Sequence, residues 1–494
     1  MRTVIFLLGF ACALFFFSLA APILVGFAHG EDEHALRLAV MASTGAFIAV
    51  LSMAASLGYR HVVTPTRLIV SMVFVWLGLG LIGTIPFLLV LDLSFEKALF
   101  ESISGLTTTG ATTFSTREAL PQSILFWRLQ LEWTGGFLTL ASLFLVLSPL
   151  AIGGLPRRAM ASEWSMDAKA ERDAGFQHLK RYVPMLGYYV AASVIVFFLF
   201  VASGTNSLGA AHLTMTSIAT GGFNPYDDDL ASRFGLSSIA IMAAVLMISA
   251  TSLFWQRYDL FSPFRVIRQN REAWWVVLMV AALTGLYLLA FRGLNAFSGE
   301  GRTAVVLVDS FFAAASVIAT SGHEPRPGII ALLPEILIFP VAFVGAAVFS
   351  TASGLKMHRL GAMLVQAFRE LNLLIYPSSV IPTRIANVEY SERTIVESWP
   401  VVLLTLAVLA LSVFALAGGP GNFEAALLAG MALLLNAGPL YEAYIPVAAS
   451  ADLWPEFRDF NSVERLIACI VMLLGRLEFV AVFAILNLRY WLSR

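Results

Sequence analysis

Four times along this chain a long apolar segment is followed by a shorter apolar one, a short polar stretch containing a glycine, and another apolar segment. The clearest polar stretch reads Thr107-Thr108-Thr109-Gly110-Ala111-Thr112. Hydrocarbon offers no water to satisfy backbone, so open chain at membrane depth must be buried in protein or line a wet cavity. A chain that repeats this pattern is constrained to helices gathered around a shared polar path.

The pattern stands in a sequence that is 59% hydrophobic and only 13% charged over 494 residues, well beyond the apolar content of a soluble domain. Ten runs are long enough to cross ~30 Å of hydrocarbon. They fall at 3–28, 36–58, 67–90, 122–148, 182–202, 235–255, 272–292, 334–366, 395–417 and 462–488. The first begins after Arg2 and reads as a transmembrane helix, because its apolar core far exceeds the ~7–15 residues of a secretory leader. Four shorter segments, at 94–106, 206–218, 303–318 and 422–435, read as half-helices that enter and leave by one face. Cys12 and Cys469, the two cysteines, lie inside apolar runs and offer neither a disulfide framework nor a zinc site.

Charge fixes the orientation. With a cytoplasmic N-terminus and all short segments dipping from outside, 20 of the 31 Lys and Arg residues fall toward the inside and the other 11 lie outside or within spans. Both termini are then cytoplasmic. The expected fold is an all-α polytopic membrane protein: two leading helices (1–60), then four repeats of span, short helix, loop and span around a pseudo-fourfold pore. The repeats occupy 61–155, 156–265, 266–368 (with a broken second span) and 369–494 (with a cytoplasmic segment in front).

The loops carry the chemistry. Their central residues are Thr108-Thr109-Gly110, Thr220-Gly221-Gly222, Thr320-Ser321-Gly322 and Asn436-Ala437-Gly438, with each glycine expected to end its short helix. A partly dehydrated cation needs several oxygens at once, and backbone carbonyls around an axis supply them without a fixed charge. Glycine permits the backbone angles that turn carbonyls toward one axis. Half-helices entering from outside aim partially negative C-termini inward, which favours a cation.

The stretch Phe100-Glu101-Ser102-Ile103-Ser104-Gly105-Leu106-Thr107-Thr108-Thr109-Gly110-Ala111-Thr112 resembles the first pore helix and filter of the Trk/Ktr/HKT cation transporter family, in its TrkH-type potassium uptake branch. Ile218 to Phe223, the run from Arg369 through Tyr376-Pro377 to Asn387, and Gly475-Arg476-Leu477-Glu478 resemble it too. The resemblance implies four unequal pore units and potassium as the transported ion, held at Thr109, Thr220, Thr320 and Asn436, with sodium or rubidium as lesser permeants. It further implies a homodimer in a bacterial cytoplasmic (inner) membrane and a cytosolic, nucleotide-binding TrkA-like ring that gates the pore. Sodium-preferring relatives carry serine at the first filter glycine, so Gly110 favours potassium. No motif in the chain itself suggests nucleotide, nucleic acid or an organic cofactor.

Arg476 stands mid-span in 462–488, where a lone arginine costs ~2.5–3.5 kcal/mol and must face a partner or a wet cavity. The family's matching arginine lies near the pore below the filter as a barrier to cations; a buried salt bridge is the other reading, though Glu478, two residues away, does not share its helix face. The long run 334–366 is interrupted by Gly345 and Ser350-Thr351-Ala352-Ser353-Gly354, followed by Lys356. It resembles the family's intramembrane gating loop, with Val348 and Phe349 where relatives carry more glycine; a kinked helix is the alternative. His323-Glu324 reads first as a surface-facing mouth pair and second as a titratable outer ligand. Asp227-Asp228-Asp229 reads as either a solvated turn or a device that concentrates cations.

Other function classes fit less well. A sodium- or proton-coupled secondary transporter with re-entrant hairpins would carry carboxylates in its spans, which here are almost free of Asp and Glu. An enzyme is not expected, for there is neither a His-Glu-x-x-His motif nor paired intramembrane aspartates.

Overall fold

The structure, a computed structural model, describes residues 2–56, 65–150, 152–156, 174–252, 271–293, 302–379, 384–385, 388–418, 422–446 and 453–477. Apolar sequence with few breakers gives helices joined by loops along these stretches, with one short hairpin pairing Arg384–Ile385 with Val388–Glu389. Two leading spans, α1–α2 (Arg2–Ser18, Ala20–Ala28) and α3 (Asp32–Ala54), precede the repeats. The first is split at Leu19, three residues before Pro22, whose ring excludes the carbonyl four residues back.

Each repeat opens with a long span, in turn α4–α5 (Pro65–Gly83, Ile85–Leu91), α8 (Ala174–Ala202), α11 (Arg271–Gly293) and α15 (Glu392–Leu416). A short helix follows: α6 (Phe95–Leu106), α9 (Ser207–Ala219), α12 (Arg302–Ile318) or α16 (Phe423–Leu434). At 1.5 Å per residue even the longest of these, 17 residues, stops short of ~30 Å of hydrocarbon. Asn206 and Asn422 start two of them by accepting the N–H of Gly209 (2.9 Å) and Ala425 (2.6 Å).

The second helix departs from the expected span in three of the four repeats. Among the described residues seven helices are long and apolar enough to cross a membrane, not ten. The three that fall short are α10 (Leu236–Ala250), α13 (Glu335–Val344) and α17 (Ser462–Arg476), the second helices of repeats two, three and four. Thr251 and Leu477 turn to extended backbone and Gly345 takes φ +69°, so helical hydrogen bonding ends where the apolar pattern continues. In the first repeat α7 (Gln122–Ser142) runs on but opens into a π turn at Leu143–Leu147. Glu478, the rest of the last expected span, and the basic stretches at 157–172 and 257–270 lie outside the described residues.

Glycines set how closely these helices approach the loops. A Cβ on Gly135 of α7 would sit 1.8 Å from the Leu106 carbonyl oxygen, and one on Gly475 of α17 would sit 2.1 Å from that of Leu434. Leu106 and Leu434 are the last helical residues of α6 and α16, so repeats one and four use the same device. Large apolar side chains such as Ile48, Phe198, Leu403 and Phe414 are exposed on the outside of the bundle, as a chain solvated by lipid requires.

Candidate functional site

The four short helices end alike, and not at the glycines. Thr108, Thr220, Thr320 and Asn436 take left-handed backbone, with φ of 58°, 53°, 54° and 52°. The next residue reaches back five positions: Thr109 N–H to Ser104 O (2.8 Å), Gly221 to Thr216 (2.8 Å), Ser321 to Ser316 (2.9 Å), Ala437 to Ala432 (2.9 Å). This is the Schellman ending, with threonine or asparagine where glycine is usual. A β-branched residue held there costs about 1–2 kcal/mol. Such strain, repeated at equivalent positions, is the kind found at functional sites. In backbone register Thr108, rather than Thr109, stands at the position of Thr220, Thr320 and Asn436.

The glycines serve where the loops meet. A Cβ on Gly110 would lie 2.4 Å from Gly222 Cα, one on Gly222 2.5 Å from Ser321 O, one on Gly322 2.6 Å from Leu440 N, and one on Gly438 2.6 Å from Ala111 N. The contacts run one to two, two to three, three to four and four to one, closing a ring. Ser321 Oγ donates to Gly221 O (2.5 Å), and Gly438 N–H donates to Thr109 O (2.7 Å). Gly110 and Gly322 have φ of +76° and +74°; Gly222 and Gly438 stay outside the left-handed region.

Against this ring lies the segment 345–356, which separates α13 from α14 (Met357–Ile375). It is a complete break, not a kinked helix. Gly345 and Gly354 pack backbone on backbone, with a Cβ on Gly354 falling 2.9 Å from Gly345 Cα. Ser353 N–H donates to Thr320 Oγ1 (2.8 Å), Ser353 Oγ to Asn436 Oδ1 (2.9 Å), and Thr351 Oγ1 to the Ile218 carbonyl (3.1 Å). Ser350 bonds the Ala347 carbonyl, while Lys356 donates to Ala352 O and Phe349 stacks on Phe144 of the π turn.

Arg476 closes the arrangement. It is the last residue of α17, at the helix break and not in the middle of a continuous span. Its Nη1 donates to Ser353 Oγ and its Nη2 to Thr351 O, both at 2.6 Å. Its partners include a hydroxyl and a carbonyl of the 345–356 segment, so a guanidinium holds that segment under the loops.

Elsewhere the structure revises the sequence reading. His323 is buried rather than surface-facing, its Nε2 3.2 Å from Thr216 Oγ1. Asp227 accepts the N–H groups of Arg117 (2.8 Å) and Glu118 (3.3 Å), so it clamps the first loop region to the second instead of standing free. What burial Asp227 has works to raise its pKa, but these bonds and the Arg117 guanidinium hold the carboxyl below its usual range. Sequence reading missed Glu101, Arg128 and Glu132, a buried ion-paired cluster behind the loops. The signal was available: Arg128 and Glu132 stand four apart in an otherwise uncharged helix.

The TrkH family profile, described as a cation transport protein, matches residues 40–488. The chain belongs to this family. The "Trk system potassium uptake protein TrkH" of Halomonas elongata is 29% identical across 99% of both chains. That of Escherichia coli K12 is 28% identical, covering 85% of this chain and 84% of the relative. These TrkH relatives are named as uptake proteins, not enzymes. The crystal structure of the potassium transporter TrkH from Vibrio parahaemolyticus superposes with a TM-score of 0.84 at 23% identity over 99% of each chain. This TrkH likeness establishes the shared helical fold.

Proposed function

We propose that this TrkH-family chain carries potassium across the bacterial cytoplasmic membrane through the ring of four loops. The observation that carries the reading is the ring itself: four short helices, each ended by left-handed Thr or Asn, bring the glycine of each loop against the backbone of the next loop. Carbonyls presented by such loops can replace a cation's water, and the C-termini of the helices add partial negative charge. Potassium is the transported ion; we assign to it Thr108-Thr109-Gly110, Thr220-Gly221-Gly222, Thr320-Ser321-Gly322 and Asn436-Ala437-Gly438.

The segment 345–356 acts as the gate and Arg476 as its latch. Both hold the path shut below the ring, and release requires their hydrogen bonds to break together. In this reading the chain works as a homodimer with one pore per protomer, and a cytosolic ring subunit acts on the gate; the word "system" in the relatives' names accords with a partner. Purified protein in liposomes should accumulate rubidium or potassium down an imposed gradient. Absence of cation flux, with and without a cytosolic partner, would refute the pore.

The outer mouth should sense pH. Glu442 follows the fourth loop; the residue has surface open to water, but its carboxyl is set among many protein atoms. Loss of hydration among the surrounding walls pushes its carboxyl up to about 7; Arg117 opposes the shift and Glu456 adds to it. Below that pH the carboxylate takes up a proton and its attraction for cations is lost. Lowering external pH from 8 to 6 should therefore reduce rubidium uptake about two- to threefold, and Glu442→Gln should flatten the profile at its low-pH level.

A further inference from the structure

Behind the loops lies a cluster of charge that the ion path does not touch. Glu101 on α6 and Arg128 and Glu132 on α7 are completely enclosed. Arg128 Nε is 3.1 Å from Glu101 Oε2 and its Nη1 is 3.3 Å from Glu132 Oε1. Burying three charges costs several kcal/mol per ion, and apolar side chains of similar volume would pack as well or better. Filling space does not account for the cluster.

What it does uniquely is hold main-chain atoms next to the glycines. Arg128 Nη2 donates to the carbonyl of Ala111, the residue after Gly110, at 3.2 Å. Glu101 Oε1 accepts the N–H of Thr113 at 2.5 Å and the hydroxyls of Thr112 and Thr113. Glu132 Oε1 accepts the N–H of Phe223, the residue after Gly222, at 3.2 Å. Its carboxylate lies so close over Gly221 that a Cβ there would meet Oε2 at 2.1 Å. Oε2 is also 3.3 Å from the Thr216 hydroxyl, which in turn is 3.2 Å from His323 Nε2 in the third loop.

The peptide bond makes this geometry directional. Across a trans peptide the carbonyl points opposite to the N–H. With the Phe223 N–H drawn back to Glu132, the Gly222 carbonyl is turned the other way, to the side of the loop away from Glu132. We propose that Glu132, itself oriented by Arg128 and Glu101, is a positioning residue that aims the Gly222 carbonyl and fixes the spacing of the first two loops, and so sets discrimination among cations. The proposal rests on the reading of the loops as the ion path.

The test compares rubidium and sodium uptake by full-length variants in liposomes. Glu132→Met keeps volume but removes the acceptor, and the rubidium-to-sodium ratio should fall about tenfold, equivalent to roughly 1.4 kcal/mol. Glu132→Gln keeps an acceptor for Phe223 and should restore most of the ratio. Thr216→Val, a near-isostere that leaves the ion pair intact, should lower the ratio by about two- to threefold and covers the case in which the Met variant does not fold. Unchanged ratios in folded variants, or a Gln variant as impaired as Met, would overturn the assignment. Gly110→Ser run in parallel separates the two failures: if it too leaves the ratio unchanged, the ion-path reading falls, whereas a shift there alone removes only the role of Glu132.

Discussion

Arg476→Ala should raise rubidium flux through the reconstituted protein by about ten- to a hundredfold. The guanidinium makes two charge-assisted hydrogen bonds at 2.6 Å to the 345–356 segment, and such bonds contribute roughly 1.5–3 kcal/mol each. Losing one such contribution in the closed state is worth about tenfold in the open fraction, and losing most of both about a hundredfold. The substitution also removes a positive charge from the path of a cation, which acts in the same direction. A variant that inserts and folds with wild-type flux would show that Arg476 neither latches nor repels. One that cannot be recovered folded would assign it to structure, as a buried salt bridge would have done.

Gly110→Ser is the second large effect. The residue holds φ +76°, and any Cβ would press on the Gly222 backbone at 2.4 Å. Serine therefore carries a left-handed strain of about 1–2 kcal/mol and must push the first and second loops apart. The potassium-to-sodium preference should fall about tenfold, an effect of ~1.4 kcal/mol, with sodium uptake rising as potassium uptake drops. Competition between rubidium and sodium in liposomes measures it directly. An unchanged preference would count against Gly110 as part of the ion path.

The repeat was legible in the sequence because glycine and threonine interrupt apolar runs at matched places. What made the helices stop was not. Threonine is so rarely left-handed that Thr108, Thr220 and Thr320 carry no sequence signal for it, and the neighbouring glycines drew the assignment instead. The break at Gly345 could be read from its glycine and the hydroxyl-rich run after it. Those after Ala250 and Arg476 could not, since neither place carries a glycine or proline at the point where the backbone turns extended. Reading the spans as bulk apolar windows also averaged away Arg128 and Glu132, whose meaning lies in pairing and not in mean composition. His323 was misplaced for a similar reason: a polar residue just past a loop looks exposed until its partner, Thr216, is known.

The ring is built from one polypeptide whose four quarters differ: three are headed by threonine and one by asparagine, and the Glu101–Arg128–Glu132 cluster stands behind the first two. In a pore of identical subunits a single codon change alters every ligand at once. Here it alters one in four. Ion preference in this chain can thus be adjusted in small steps, each quarter drifting while the other three keep conducting.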